Sequence, residues 1–327
     1  MNGMLSFEEL FRVIQSSLNE LEIGSTPIEL YDPIKYSLEA GGKRIRPILT
    51  LAACNLFSDE IKPAIAPALA IEIFHNFTLL HDDIMDKADL RRNMPTVHKK
   101  WNENIAILSG DAMVIKAYQQ IIQSPALNLV PIVELFNKTA IEVCEGQQLD
   151  MNFEQLNSVS EADYLEMIKL KTSVLVAASL KIGALAANAS EIEASKLYEF
   201  GLNLGLAFQL QDDYLDTFGN TEKFGKIIGG DIAANKKTYL LVKAIELASN
   251  EDLIIINNLL SEKDYSREEK IANMISVFNK LDIRTVVKTK MEYYYQLAMK
   301  SLEAVNAVSE KKKNLIEFAE KLMEREN

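Results

Sequence analysis

Only three histidines, two cysteines and one tryptophan occur in 327 residues. Two thiols are too few for a disulfide framework or a thiolate zinc site. Cys54 and Cys144 both sit among apolar residues, so the sequence predicts two packed thiols in a reducing compartment. Thirteen glycines and eight prolines are about half the usual share of a globular chain, which favours long helices over many short strands. Basic charge is scarce too: 35 Lys and Arg stand against 47 Asp and Glu, for a net charge of −12. Binding along a nucleic acid needs a basic footprint, so no nucleic-acid partner is expected. No basic segment followed by an apolar run opens the sequence, so no signal peptide is expected. The most apolar stretch, 173–189, contains Lys181 and is short for a membrane span of ~20 residues. It reads as a core helix, and the protein as cytoplasmic without stable membrane insertion. No Ser/Gly/Pro-rich linker divides the chain, which reads as one domain over 1–327.

What is present is mostly helix signal. Ser6 and Glu9 have capping-box spacing, and Phe7, Leu10, Phe11, Ile14, Leu18 and Leu21 then recur at three- and four-residue intervals. Gly41 and Gly42 end a second helical stretch, and Pro47 fits the first turn of a third. Helix formers run almost unbroken from Ala64 to about Asp86, and further periodic stretches lie at about 103–122, 131–150, 161–188, 191–216 and 237–248. No alternation is long enough to predict a sheet. The fold class is therefore all-α: a bundle of long antiparallel helices around a central cavity. Residues 87–101, with Lys87, Arg91, Arg92, Lys99 and Lys100, and residues 217–237, with four glycines and four lysines, read as loops, and the flexible lysine-bearing one is suited to closing over an anion.

Within the helices one motif occurs twice, DDIMD at 82–86 and DDYLD at 212–216. Asp82 and Asp86 share a helix face with Asp83 beside them, and Asp212, Asp213 and Asp216 repeat the pattern. Carboxylates so close repel one another by roughly a few tenths of a kcal/mol per pair, so a hard divalent cation is the expected compensation. All-oxygen ligands suit Mg²⁺, which takes one or two carboxylates and completes its shell with water and substrate phosphate. The cations supply partners for that phosphate. GKRIRP at 42–47 places Lys43, Arg44 and Arg46 at a helix start, where free N–H groups also favour anions. Arg91 and Arg92 follow the first aspartate motif by one to two helical turns and point in different directions. His75, seven residues before Asp82, projects from the same side of its helix.

Together these residues resemble the trans-isoprenyl diphosphate synthases, the polyprenyl synthetase family. The likeness lies in GKRIRP, LLHDDIMD followed by RRNMPTVH, Lys171–Thr172, FQLQDD at 208–213, FGK at 224–226 and NKKT at 235–238, and it covers about 35–240. It implies head-to-tail condensation of isopentenyl diphosphate with an allylic diphosphate (dimethylallyl, geranyl or farnesyl). It also implies three Mg²⁺ ions held by Asp82, Asp86 and Asp212, with Asp83, Asp213 and Asp216 in support. Arg91, Lys171, Thr172, Gln209, Lys226 and Lys236 are then expected on the allylic diphosphate, and Lys43, Arg46, His75 and Arg92 on isopentenyl diphosphate. Lys171 is expected to take part in catalysis, and carbonyl and hydroxyl dipoles near Lys171, Thr172 and Gln209 to stabilise the carbocation. Many members have glycine where this chain has Asn93, a residue that tolerates left-handed geometry, so the turn is expected to survive. The resemblance also implies a homodimer, with the apolar helices at about 103–122 and 131–150 as expected contributors.

Product length follows from sterics along the helix before Asp82. Phe77 is bulky, Thr78 is small, and Phe74 lies one turn deeper. In the family an aromatic at the position of Phe77 goes with short products, so a fifteen- or twenty-carbon all-trans product is expected, of the farnesyl or geranylgeranyl type. A medium- or long-chain synthase and a class I terpene cyclase are the alternatives; a cyclase has no need of GKRIRP or His75. A di-iron bundle fails on counting, because Glu72 and His75 make one Glu-x-x-His pair whereas Thr78 and Pro95 precede the other two histidines by three. A non-catalytic subunit is expected to have lost aspartates, and both motifs are complete here.

Overall fold

Ser6 and Glu9 close the capping box their spacing predicts: Ser6 Oγ accepts from the Glu9 N–H at 3.3 Å and the Glu9 carboxylate accepts from the Ser6 N–H at 2.8 Å. They start α1 (Phe7–Asn19), which buries Leu10, Ile14 and Leu18. The structure is a computed structural model and describes residues 5–219, 229–261 and 265–324. Its described residues are overwhelmingly helical, as expected. Their contacts group into two compact units, Met1–Lys138 with Ala178–Tyr198 and Val305–Leu315, and Thr139–Ala177 with Glu199–Ala304 and Ile316–Asn327.

In the first unit α2 (Ile28–Glu39) ends ahead of Gly41 and Gly42, whose φ of 80° and 129° favour glycine. α3 (Ile45–Phe57) has Pro47 in its first turn and is buried over most of its length. α4 (Ile65–Met85), capped by Asp86, packs on α1, α2, α3 and α6 (Glu103–Ile121). The stretch Lys62–Met85, rather than 173–189, is the described helix long and apolar enough to cross a membrane, but 61% of its most apolar window is buried within the protein. After α4 the chain forms a small hairpin, β1 (Leu90–Arg91) against β2 (Met94–Pro95). Arg92 and Asn93 turn it with φ of 53° and 63°, the two left-handed residues of a type I′ turn, so Asn93 keeps the turn as expected. Arg91 and Arg92 thus project from a hairpin, not from further helical turns, and a ladder this short leaves no alternation to find in a sequence. A one-turn α5 (Val97–Lys100) leads into α6. The unit also takes the first part of α7 (Leu129–Glu154) and parts of α9 (Val174–Ala186) and α10 (Glu191–Phe218). Gly183 of α9 lies so close to α3 that an added Cβ would sit 2.0 Å from the Thr50 carbonyl oxygen.

In the second unit α8 (Glu161–Ile168) runs through a π-helical turn, Lys169–Ser173, into α9. Glycines grip that turn on two sides: a Cβ on Gly146 of α7 would lie 2.2 Å from the Lys171 nitrogen, and one on Gly205 of α10 would lie 2.7 Å from Ser173 Cα. Beyond α10 come α11 (Gly230–Ala233), α12 (Tyr239–Leu247), α13 (Asn250–Ser261), α14 (Arg267–Lys280) and α15 (Ile283–Glu303). α16 (Ser309–Met323) closes the described chain. The unit's core joins Tyr164, Met167, Leu206, Leu210, Phe278 and Val287. One expectation is corrected here. Cys54 is buried, but Cys144 stands on an exposed face of α7, because its periodic neighbours leave that side of the helix uncovered.

Gly183→Ala is expected to cost about 1–3 kcal/mol, since the obstacle is backbone that cannot rotate away. A thermal melt checks this, and an unchanged midpoint contradicts the close approach of α9 to α3.

Candidate active-site residues

The three aspartates of the first motif have different surroundings. Asp83 is 4% exposed, and its Oδ1 accepts from Arg91 Nε at 2.7 Å. Burial raises its pKa and the Arg91 charge opposes the rise. Asp82 is half-buried and Asp86 exposed, one helical turn apart at the end of α4, with the Asp86 N–H donating to the Asp82 carbonyl at 2.8 Å. The pair that shares a face is therefore the pair left open to solvent. The middle aspartate fastens the hairpin to the helix.

Arg92, on the turn of that hairpin, reaches back to donate to the Gly41 carbonyl. Gly42 makes room for it: a Cβ there would lie 2.7 Å from the Arg92 guanidinium. Of the three cations in GKRIRP, Arg44 is not available to a ligand. It is 4% exposed, donates to Glu72 Oε1 at 2.5 Å and also bonds the Leu38 carbonyl. Lys43 is exposed and Arg46 partly so. Arg46 donates to His75 Nε2 at 3.0 Å, and since a guanidinium only donates, that nitrogen carries no proton. Burial and the charges of Arg46 and Arg92 hold the His75 pKa well below the usual value. Burial also lowers Arg46 to about 10, with Glu72 opposing and Arg92 adding to the fall, and Arg46 Nε is buried without a hydrogen-bond partner. Four of the residues expected around isopentenyl diphosphate, Lys43, Arg46, His75 and Arg92, thus lie on three neighbouring segments of this unit.

On α4 an aromatic column runs away from the aspartates. Phe77 meets His81 at 4.7 Å between ring centres and Phe74 at 5.5 Å; Phe74 then meets Phe136 at 5.4 Å, and Phe136 meets Tyr118 at 5.4 Å. Phe74 is fully buried and Phe77 half-buried, while the Thr78 hydroxyl is turned onto the His75 carbonyl at 2.8 Å. Gly110 lets α6 approach: a Cβ there would lie 2.2 Å from His81 Nε2.

In the second unit the second motif repeats the division. Asp212 is exposed, whereas Asp213 is 2% exposed and holds three donors: the Tyr164 hydroxyl, the Tyr239 N–H at 3.0 Å and Gln209 Nε2 at 3.4 Å. Burial raises Asp213 to about 6 despite those donors and the Lys236 charge. Asp216 accepts from the Asp231 N–H at 2.9 Å and so ties down α11. Lys236 lies 3.7 Å from Asp231, and the carboxylates of Asp231, Asp213, Asp150 and Asp212 outweigh its burial and raise its pKa. Lys171, on the π-helical turn, pairs with Asp150 at 2.6 Å, and the Thr172 hydroxyl donates to Gln209 Oε1 at 3.2 Å. Lys171, Thr172, Gln209, Asp213 and Lys236 thus belong to connected polar networks of one unit, and Lys226 lies outside the described residues. Asp150, Asp231 and Tyr164 were not found by motif. The signal for Asp150 was Gly146, a mid-helix glycine that costs roughly 1 kcal/mol unless something packs against it; Tyr164 had no local signal.

Among the described residues no three His, Cys, Asp or Glu side chains are placed to hold a metal ion with protein atoms alone. In the first unit the half-buried Asp82 and the exposed Asp86, and in the second the exposed Asp212, each with cationic side chains nearby, fit hard cations whose shells are completed by phosphate oxygens and water.

Residues 27–278 match the family model for polyprenyl synthetase. A geranylgeranyl diphosphate synthase of Methanosarcina mazei is 41% identical over 242 residues, 73% of this chain and 75% of that protein. One of Sulfolobus acidocaldarius is 35% identical over 319 residues, 94% of each. A crystal structure of a geranylgeranyl pyrophosphate synthase superposes with a TM-score of 0.94 at 43% identity, covering 99% of this chain and 100% of that one.

Because His75 is neutral in the fold, the unfolded chain binds more protons once the pH falls below about 6.5, the ordinary histidine value. Stability is therefore expected to be full above that pH and to decline from there toward the lowered folded value. Melts of the ligand-free protein between pH 7.5 and 5 should fall more steeply for the parent than for His75→Gln; parallel curves contradict the neutral imidazole.

Proposed function

Since the chain belongs to the polyprenyl synthetase family and is a trans-prenyltransferase of the short-chain type, we propose that it condenses isopentenyl diphosphate with an allylic diphosphate, dimethylallyl, geranyl or farnesyl, to a fifteen- or twenty-carbon product. The observation that carries this reading is the cationic cluster beside the first aspartates. Arg44, Arg46 and Arg92 surround the buried Glu72; Arg46 and Arg92 have lowered pKa, and Arg44 and Arg46 each keep a buried Nε–H without a partner. Such a cluster calls for a multivalent anion, and the open aspartates next to it call for a cation that bridges to phosphate.

In the proposed reaction the allylic carbon–oxygen bond breaks and diphosphate leaves with the electron pair. The isopentenyl double bond supplies the electrons of the new carbon–carbon bond; the cation this leaves gives up a proton from the adjacent carbon to the departed diphosphate, and the C–H electron pair forms the new double bond. Asp82, Asp86 and Asp212 would hold Mg²⁺, three ions with substrate bound, which would supply positive charge to the leaving diphosphate. Arg91, Lys171, Lys226 and Lys236 bind the same diphosphate. Lys43, Arg46, His75 and Arg92 hold isopentenyl diphosphate; the neutral His75 accepts from Arg46 and so fixes the direction of that guanidinium. Gln209 and Thr172 present oxygen dipoles to the developing cation. Asp83 and Asp213 act by holding the segments that carry Arg91, Arg92 and Lys236.

Phe77, with Phe74 and Phe136 behind it, forms the floor that ends chain growth, and Thr78 beside it leaves space. We further propose a single polyprenyl synthetase domain over 1–327, a cytoplasmic location, no nucleic-acid partner and a homodimer. Exposed apolar side chains on α6 (Ile107, Leu108, Ile115) and Val130 on α7 support the dimer.

Chromatography of products from labelled isopentenyl diphosphate tests the reaction directly. Asp82→Ala and Asp212→Ala are each expected to lower turnover by roughly 10²–10³-fold or more and to alter Mg²⁺ dependence; near-parental rates in either variant contradict the metal role. Phe77→Ala should lengthen the product by one or more five-carbon units, and an unchanged product distribution removes Phe77 as the floor.

A further inference from the structure

Tyr164 lies on α8, seven residues before Lys171 and within no motif of the sequence, with 2% of its surface exposed. Its ring belongs to the core and meets Tyr239 at 6.0 Å between ring centres, which by itself is ordinary packing. Its hydroxyl is not in apolar surroundings. It donates to Asp213 Oδ2, the oxygen that also accepts from the Tyr239 N–H at 3.0 Å, the first N–H of α12. The other oxygen, Oδ1, accepts from Gln209 Nε2 at 3.4 Å, and Gln209 Oε1 in turn accepts from the Thr172 hydroxyl at 3.2 Å. The directions of these bonds are linked. A carboxylate only accepts, so Gln209 must present its amide nitrogen to Asp213 and its oxygen to Thr172.

We infer that Tyr164 is a positioning residue: by holding Asp213 Oδ2 against α12 it sets the orientation of the Gln209 amide and the Thr172 hydroxyl, and the place of Lys236 just ahead of α12. Lys236 has Asp213 among its carboxylate neighbours and is three residues from Tyr239, so a carboxylate free to turn displaces both arms of the network. Tyr239 closes the other side. Its hydroxyl donates to Glu161 at 2.9 Å, and Lys243 and Lys290 pair with the same carboxylate at 2.9 and 2.7 Å, so the start of α12 is fixed from two directions. Without the Tyr164 hydroxyl the Asp213 end is the one that loosens.

The inference rests on the proposed reaction, and the parent enzyme separates the two: a parent without prenyl transfer sinks the reaction, whereas an active parent leaves this step to be judged by its variants. Tyr164→Phe keeps the ring and removes one donor. In the full-length protein with Mg²⁺ it is expected to melt within a few degrees of the parent. Its KM for the allylic diphosphate and its half-saturating Mg²⁺ concentration should rise about tenfold, with KM for isopentenyl diphosphate unchanged. In an Asp213→Asn background the same substitution should add little, because the bond it removes is already altered. Unchanged constants, an equal rise for both substrates, effects that multiply in the double variant, or loss of the cooperative melt each overturn the positioning role.

Discussion

A buried carboxylate at the second position of each aspartate motif is the constraint on which the described sites depend. Left without partners, such a charge would cost several kcal/mol of lost hydration, so the chain must bring donors to it. At Asp83 the donor is Arg91, which brings the hairpin with Arg92 on its turn. At Asp213 the donors are Tyr164, Gln209 and the first N–H of α12, the last of which brings the residues just before that helix. The outer carboxylates, Asp82, Asp86 and Asp212, stay more open because the anchoring has been given to their neighbours. On the proposed function one five-residue pattern thus separates two duties that a single aspartate could not combine: a metal ligand must be free to approach its ion, and an anchor must not move.

Helix packing serves the same end. A chain with few glycines spends several of them where two backbones meet. Gly110 admits His81, Gly146 and Gly205 clamp the π-helical turn that carries Lys171 and Thr172, and Gly183 seats α9 on α3. A π-turn is rare within an α-helix and recurs at functional sites. Here the close approach of two helices holds it, so the side chains of Lys171 and Thr172 leave a fixed backbone.

Much of this was legible in the sequence, because helices, caps and aspartate motifs are local. The capping box at Ser6, the helix from Ile65 to Met85 and the left-handed turn at Asn93 all follow from residues within a few positions of one another. What was not legible is what depends on long-range approach. Arg44 looked like one more cation for the ligand until Glu72, 28 residues away, took it. Asp150, Tyr164 and Asp231 carry no motif, since their partners lie across helix contacts and no spacing within one helix records them. Cys144 misled for the complementary reason: apolar neighbours in sequence do not say which side of a helix is covered.

The charge of the chain sharpens the point. With a net charge of −12 the protein could neutralise its arginines many times over, yet the carboxylate buried among Arg44, Arg46 and Arg92 is Glu72. The depressed pKa of His75 and of Arg46 records burial first and, after it, the repulsion of neighbouring arginines that Glu72 does not offset. On the proposed function an anion entering the cluster would relieve the repulsion between Arg46 and Arg92 as well as forming its own hydrogen bonds. Folding sets the limit to this device. More repulsion would tighten the grip on a ligand but destabilise α3 and α4, which the Arg44–Glu72 pair holds together; that pair is therefore the least replaceable element of the cluster, although it is closed to any ligand.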